Sequence, residues 1–267
     1  RLVGSEMCIR DSRVNWGNFN NAYPYIAIPG HPIAMFYGHI FDGVYQYTDF
    51  DKVGESYILK DGVPNNGNAR EKIQPGDIKF KDINRDGMVN DYDLTIIGNP
   101  NPKHIGGFGN NFQYKNFDLN VFFQWSYGGD VLNANRIEFE GGDPNARTSL
   151  NMFASFANRW TPENQTNELY RIGGQGPAVY SSRTIEDGSF LRLKTISLGY
   201  RLPNAWLKKI NIKSLRVYAS AQNLITWTKY SGPDPEVSTR PTALTPSFDW
   251  SPYPRPRTLT LGVDISF

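Results

Sequence analysis

The sequence predicts an all-β protein: roughly six to seven antiparallel strands from the C-terminal part of a transmembrane β-barrel with long extracellular loops. Two patterns predict this fold class: apolar and polar residues alternate in several segments, and the connections between these segments alternate between short and long. The composition agrees, because 6 Trp, 15 Tyr, 16 Phe and 25 Gly favour strands and turns over packed helices. No apolar run approaches the about 18 residues of a membrane helix. A formal net charge of +2 gives no basic surface for nucleic acid.

The last segment, Pro256 to Phe267, has the clearest alternation. Its apolar side chains share one face of the predicted strand, and Thr, Gly, Asp and Ser occupy the other face. A transmembrane strand with lipid outside and water inside has this pattern, and so does a half-buried strand of a soluble sandwich. The apolar face consists of Leu259, Leu261, Val263, Ile265 and Phe267.

Other segments repeat this pattern. Strands are predicted at 104–115, 116–127, 187–202 and 215–227, with a further strand at 33–47 and a weaker one at 23–28. In Asn116–Tyr127, five or six large apolar residues face opposite Asp118, Asn120 and Gln124. Aromatic residues near the strand ends fit an interfacial girdle, and turn aromatics of a soluble protein are the competing explanation.

The connections between the predicted strands alternate in length. The long connections are 48–103, 128–186 and 228–255, and the short ones are 115–116 and 203–212. Outer-membrane barrels have short periplasmic turns and long external loops, so the alternation predicts a periplasmic Phe267 and another periplasmic turn at 29–32. Because so few strands cannot close a barrel, we interpret the chain as part of a longer protein.

Residues Arg1–Ser12 differ in character from the rest of the chain. They lack the features of a signal peptide and resemble translated library-adaptor sequence, so we assign residues 13–267 alone to the barrel. This exclusion removes Cys8, the only cysteine, and the sequence therefore predicts no disulfide framework and no cysteine metal site.

The sharpest local motif is the loop 82–93, which matches D-x-N-x-D-G with an acid at loop position twelve. Ca²⁺ prefers oxygen ligands of this kind, and Gly87 permits the sharp turn. The acid at position twelve is Asp, not the bidentate Glu of EF-hands, which makes the loop similar to those of dockerin modules. The alternative is an Asx-rich turn without an ion. The predicted Ca²⁺ ligands are Asp82, Asn84, Asp86, the Met88 carbonyl, Asn90 and Asp93.

The sequence does not predict an enzyme, because it has no GxSxG, HExxH or Walker motif. Gly106, Gly107 and Gly109 do not complete a phosphate-binding GxGxxG and instead favour close packing or a bend. Asp234 and Glu236 have the form of a hydrolase carboxylate pair, but the neighbouring prolines favour an ordinary solvated turn.

Seven segments, in this order, carry a family resemblance: FYGHIFDGVYQ (36–46), PGDIKFKDINRDGMVNDYDLTIIGNPNPK (75–103), YKNFDLNVFFQWSYGGDVLN (114–133), RWTPENQT (159–166), DGSFLRLKTISLGYRLP (187–203), LRVYASAQNLITWTKYSGPDPEV (215–237) and YPRPRTLTLGVDISF (253–267). Through them the chain resembles the C-terminal region of the SusC/RagA-like TonB-dependent outer-membrane transporters. The segments cover nearly everything from Ile33 onward.

The resemblance implies a large barrel of about 22 strands, closed by an N-terminal plug, in the outer membrane of a Gram-negative bacterium. Such a transporter imports oligosaccharides or peptides handed over by a SusD-like surface lipoprotein, with energy supplied through TonB. The plug and the TonB-binding region are expected upstream of this chain. The final strand resembles the family's signal to the barrel-assembly machinery, carried here by Leu261, Val263, Ile265 and Phe267.

Aromatic residues of the long loops are candidates for contact with the ligand or the lipoprotein lid, because aromatic rings stack on sugars. Packing within the loops or in an interfacial girdle is the alternative for each of them. The candidates are Trp125, Tyr127, Trp160, Trp227, Tyr230 and Trp250.

A second interpretation is a secreted, calcium-dependent carbohydrate-binding β module with a dockerin-like loop. Three observations argue against it: the loop occurs once, the connections alternate in length, and the chain ends on an aromatic residue.

Overall fold

A computed structural model describes residues 14–19, 22–141, 151–177, 180–207, 212–240 and 242–267. The predicted adaptor segment, Arg1–Ser12, lies outside the described residues. The chain divides into two compact units. The "strand unit" comprises 102–129, 187–236 and 253–267, and the "loop unit" comprises the described parts of 1–101, 130–186 and 237–252. In the described residues, no helix has the length and apolar character needed to cross a membrane.

Strands make up most of the regular structure. In chain order they are β1 (Val14–Trp16), β2 (Tyr25–Ala27), β3 (Met35–Gly38), β4 (Phe41–Val44), β5 (Phe50–Val53), β6 (Ser56–Leu59), β7 (Ile78–Phe80), β8 (Thr95–Gly98), β9 (His104–Tyr114), β10 (Phe117–Tyr127), β11 (Asp130–Asn133), β12 (Ile185–Asp187), β13 (Phe190–Arg201), β14 (Ser214–Thr228), β15 (Phe248–Asp249) and β16 (Thr258–Ser266). The α-helices α1 (Asn135–Glu140) and α2 (Asn204–Leu207) are short. Single 3₁₀ turns lie at Tyr47–Asp49, Arg70–Lys72, Asp91–Asp93, Ala154–Asn158 and Ser182–Thr184.

The strand unit is one five-stranded antiparallel sheet in the order β16-β14-β13-β10-β9. Its strands confirm the five long strands predicted from the alternation. The turn between β9 and β10 is tight, and Lys115 adopts the left-handed conformation (φ 52°) that such turns require. The long strands β9 and β16 form the two edges of the sheet.

The register makes one face of this sheet apolar across all five strands. Leu198 pairs with Leu119 on one side and Ala219 on the other, and the row continues to Phe112 and Leu261. Phe112, Leu198 and Leu261 of this row are exposed, with Leu198 at 50% and Leu261 at 85% of their accessible surface. A sheet in water hides its apolar face, so this one requires an apolar environment.

A β-bulge at Lys194 interrupts the alternation of β13. The register with β10 and β14 shifts between Leu193 and Thr195, so Leu191 and Leu193 share the apolar face with Ile196 and Leu198. The predicted strand is confirmed, but the sequence pattern shows only the second half of its apolar face.

The loop unit consists of small sheets: β1-β2-β3-β8, β12-β11-β15, β4-β7 and β5-β6. A strand is present at the predicted position 23–28, as β2, and the segment 29–32 is a turn between β2 and β3 with Gly30 at φ 81°. Both belong to the loop unit and not to the sheet of long strands, which contains five strands where six to seven were predicted. The prediction of a single strand over 33–47 is wrong. Its residues form β3 and β4, which belong to different sheets because each pairs with a distant strand.

Clusters of buried apolar side chains hold the loop unit together. One contains Tyr25, Phe36, Leu132 and Phe248, and another contains Val44, Ile78, Phe80, Trp160 and Tyr170. Members of each cluster are far apart in sequence, so the segments of the loop unit fold together as a structure with its own core.

Candidate functional site

The polar face of the five-stranded sheet carries an ion network centred on Arg216 of β14. Its guanidinium binds both carboxylate oxygens of Asp118 on β10, at 2.9 and 2.6 Å, and Asp264 on β16 at 3.0 Å. Arg216 reaches β10 across β13 because Gly199 leaves the space open. A Cβ at this glycine would lie 2.5 Å from the Arg216 Nη2 atom. Sequence reasoning missed this network, although each member lies at a polar position of an alternating strand.

A second network surrounds Arg192, which lies on the same face of β13 and is only 2% exposed. Its guanidinium donates to the carboxylates of Asp234 and Glu236, and Arg255 also binds Glu236 at 3.0 Å. The prediction of a solvated turn at Asp234 and Glu236 is therefore wrong. Asp234 is buried, because the segment after β14 folds back over the sheet. There the buried guanidinium of Arg192 forms ion pairs with the carboxylates of both Asp234 and Glu236.

Three of the predicted contact aromatics, Trp125, Tyr127 and Trp227, meet at one end of the sheet. They line an open groove of about 720 Å³ on the strand unit. The indole N–H of Trp125 donates to Nδ1 of His104 at 3.1 Å, and His104 stacks on Tyr127 at 5.2 Å between ring centres. All three rings lie at apolar-face positions of the register, which favours the girdle alternative for them.

The other predicted contact aromatics lie elsewhere. Trp160 is buried in the loop unit, and its indole N–H donates to the side-chain oxygen of Gln46 at 2.9 Å. Tyr230 is also buried. Trp250 is 39% exposed and packs edge-to-face on Phe19. Of these three, only Trp250 offers an accessible ring surface for a ligand or a lid.

The loop 82–93 has the sharp turn that the calcium prediction requires, with Gly87 at φ 85°. The carboxylate of Asp82 accepts hydrogen bonds from the amides of Arg85 (2.6 Å) and Gly87 (2.8 Å). Asp86 accepts from the amide of Met88 at 2.8 Å, and the Asn90 side chain accepts from Tyr92. The loop is thus a closed series of Asx turns.

Asp93 closes this loop from a fully buried position. One of its carboxylate oxygens accepts from the amides of Ile83 and Asn84, and the other accepts from Asn90. The described residues contain no group of three or more His, Cys, Asp or Glu side chains arranged to hold a metal. The fit to Ca²⁺ is therefore partial: the turn and the oxygen donors are present, but Asp93 is committed to backbone amides.

The predicted assembly residues Leu261, Val263 and Ile265 lie on the edge strand β16, with Phe267 just after its end. All four are exposed on the apolar side of the strand pattern. An edge strand with free backbone groups is available for pairing with another strand.

Comparison with known proteins gives relatives of one kind. No family model matches the chain. It is 36% identical to the TonB-dependent receptor P3 of Formosa agariphila, over 94% of this chain and 24% of that receptor. It is 33% identical to the TonB-dependent receptor SusC of Bacteroides thetaiotaomicron, over 74% of this chain and 18% of SusC. The chain thus spans about a quarter or less of the curated relatives it matches.

Solved structures agree with this result. The RagAB peptide transporter matches 96% of this chain and 24% of its own, with 25% identity and a TM-score of 0.68. The "closed-closed" state of the RagAB peptide importer matches 95% of this chain with 26% identity and a TM-score of 0.67. The predicted fold class, antiparallel strands of a large transporter barrel, is confirmed.

Proposed function

The chain corresponds in sequence and fold to part of the SusC/RagA-like TonB-dependent receptors, and we propose that it supplies barrel strands and external loops to an outer-membrane nutrient importer. The observation that carries this proposal is the exposed apolar face of the five-stranded sheet. Its apolar rows run across every strand from β9 to β16, which a protein in water does not tolerate. Lipid is the environment in which such a face is stable.

The open edges of the sheet support the same proposal. Unpaired backbone groups cannot face hydrocarbon, so β9 and β16 require further strands of a longer receptor. In this arrangement the polar face, with Arg192 and Arg216, lines the interior of the barrel. The short connections of the five-stranded sheet, 115–116 and 203–212, face the periplasm, and its long connections face the outside of the cell.

We assign the partners by analogy with the relatives. SusC and the RagAB transporter suggest a SusD-like surface lipoprotein and energy from TonB, and RagAB is named a peptide transporter. The proposed substrates are oligosaccharides or peptides. Trp250 of the loop unit is an accessible aromatic candidate for contact with substrate or lid.

The calcium assignment is a proposal for the loop 82–93 alone. Bound Ca²⁺ would be held by oxygens of Asp82, Asn84, Asp86, Met88 and Asn90. Asp93 would complete the set by giving up part of its hydrogen bonding to the backbone amides. Its test is calcium binding by the purified receptor, measured by calorimetry, in the parent and in Asp86→Ala. Binding that is absent in the parent, or unchanged in the variant, would contradict the assignment.

The main proposal is tested with the complete gene that encodes this chain. The tagged receptor is expected in the outer-membrane fraction, with heat-modifiable mobility on gels, and cells lacking the gene or TonB should lose uptake of a labelled oligosaccharide or peptide pool. A protein recovered from the medium in soluble form would instead support the secreted carbohydrate-binding module. Normal uptake in the deletion strain would remove the transport assignment.

A further inference from the structure

The groove at the long-connection end of the five-stranded sheet has a defined construction. Trp125 of β10 and Trp227 of β14 flank Leu191 of β13 in one row of the register. Extending the register by one residue places Tyr127 and Lys229 on either side of Ser189. Large side chains therefore form two walls and smaller ones form the floor. The volume of about 720 Å³ is in the range of small-molecule pockets.

The chemistry of the apolar face changes along the strands toward this groove. The face is aliphatic at Leu198 and Ile196, becomes aromatic at the two indoles, and ends on polar groups. Lys229 supplies a cation and Asp187 an anion at this polar end, together with hydroxyl groups and the imidazole of His104. A ligand that matches this order has an apolar body and a polar head with both donors and acceptors.

Two features of the groove favour a sugar as the polar head. Indole rings present flat apolar surfaces on which a sugar ring stacks, and the exposed half of Trp227 is free for this contact. The mixed charge of Lys229 and Asp187 suits the hydroxyl groups of a sugar better than it suits a phosphate. The long connections place this end of the sheet at the outer leaflet.

We propose that the groove between Trp125, Tyr127 and Trp227 binds one glycolipid of the outer leaflet. Its acyl chains lie on the aliphatic face from Leu191 toward Leu198, and its sugar head stacks on an indole and contacts Lys229 and Asp187. The inference rests on the proposed membrane location, because an apolar face in water would not be open to a lipid.

The test is native mass spectrometry of the full-length receptor, purified from outer membranes in mild detergent. The receptor is titrated with a glucosyl diacylglycerol and, separately, with a phosphatidylethanolamine of identical acyl chains. Preferential retention of the glycolipid is expected. Trp227→Leu, which keeps the site apolar, should weaken this retention by about five- to tenfold, the loss expected for one aromatic contact.

The matched control is Trp206→Leu. Trp206 is an exposed tryptophan of the same unit, but it lies in α2, at the short-connection end. This variant should retain the glycolipid as the parent does. Equal retention of both lipids by the parent, or an unaffected Trp227→Leu, would overturn the inference.

Three further outcomes separate the possible sources of failure. Displacement of the glycolipid by free methyl glucoside at matched concentration would mean that the groove is a site for soluble sugar, and would overturn the lipid assignment. A receptor absent from the outer membrane would overturn the proposed function itself. A receptor that inserts and transports but shows no lipid preference overturns only this inference.

Discussion

The strand unit and the loop unit place apolar and charged side chains in opposite ways. In the strand unit, leucines such as Leu198 and Leu261 are exposed, while the most completely buried large side chain is the cation Arg192. In the loop unit, Phe36, Phe248 and other apolar side chains are completely buried.

The difference shows that the kind of side chain that is buried depends on the environment of each unit. Apolar side chains are buried in the loop unit, and charged side chains are buried in the strand unit. The loop unit gains stability by removing apolar surface from water. The strand unit keeps its apolar surface exposed, which suits the lipid environment proposed for it, and satisfies its charges in ion pairs on the other face. A search for the protein core by hydrophobicity alone would select the apolar face of the five-stranded sheet, although that face is exposed.

The largest expected effect is on the water-stabilised core. Trp160→Ala removes a buried ring from the cluster with Phe80 and Tyr170, and should lower the free energy of opening of the loop unit by about 3–5 kcal/mol. Hydrogen exchange of peptides covering Val44 and Ile78 measures it. Trp250→Ala, at a partly exposed ring, is the control and should cost much less. If Trp160→Ala accelerated hydrogen exchange in the strand unit as much as in the loop unit, the two units would not be independent.

The next effect tests the apolar face of the five-stranded sheet, which is proposed to contact lipid. Ile196→Arg puts a charge on the apolar face near the middle of β13 and should cost about 2–4 kcal/mol, which reduces the heat-modifiable receptor in the outer membrane. Ser197→Arg is the matched control, because the neighbouring position pairs with Asn120 and Ser220 on the polar face. If both variants assembled equally well, the assignment of the two faces would be wrong.

A smaller effect is expected where the polar face is tightly packed. Gly199→Ala places a methyl group against the guanidinium of Arg216 and should lower stability by about 1–3 kcal/mol by displacing it from Asp118. Thermal unfolding of the purified receptor measures the change. In an Arg216→Met background the same substitution should cost clearly less, since the ion pair is already lost. An identical cost in both backgrounds would show that the glycine matters for another reason.

The smallest effect is a pH dependence of the loop unit. Burial lowers the pKa of His39 from its ordinary value of 6.5, and the charges of Asp93 and Asp91 partly oppose this shift. The folded unit therefore holds His39 neutral, whereas the unfolded chain binds a proton below about pH 6.5. The contribution of His39 to stability is present above this pH and decreases as the pH falls toward the lowered value.

Local opening of the loop unit, followed by hydrogen exchange corrected for the intrinsic rate at each pH, measures this dependence. The unit should open more readily at pH 5 than at pH 7.5, and His39→Gln should reduce the difference. An unchanged difference in the variant would assign the pH dependence to other groups.

The sequence predicts the strand unit well because each strand is specified by its own alternation. The predicted segment 116–127 differs from β10 by one residue at its start, and the predicted segment 215–227 differs from β14 by one residue at each end. The loop unit is not predictable in this way, because its strands are short and depend on distant partners. Leu132 of β11, for example, pairs with Phe248 of β15 in a parallel arrangement that no local pattern indicates.

The candidate sites follow the same rule. The alternation predicts that Trp125 and Trp227 each lie on the apolar face of their own strand. Only the strand order shows that they lie on either side of Leu191. The sequence predicts that Asp234 and Glu236 are solvated, because their partner Arg192 lies more than 40 residues earlier in the chain, on β13. The predicted Ca²⁺ ligands of the loop 82–93 are all local in sequence, so its turn was predictable, while calcium binding stays a prediction.

The bulge at Lys194 has a consequence for changes in chain length. Deleting one residue elsewhere in β13 would turn all the side chains on one side of the change to the opposite face, which moves Arg192 or Ser197 to the apolar face that is proposed to contact lipid. Lys194 is unmatched in the ladder with β10, so its removal would regularise that ladder while the other side chains of β13 keep their faces. A single-residue deletion in β13 is therefore expected to disturb the sheet least at Lys194, in engineered variants and in natural relatives alike.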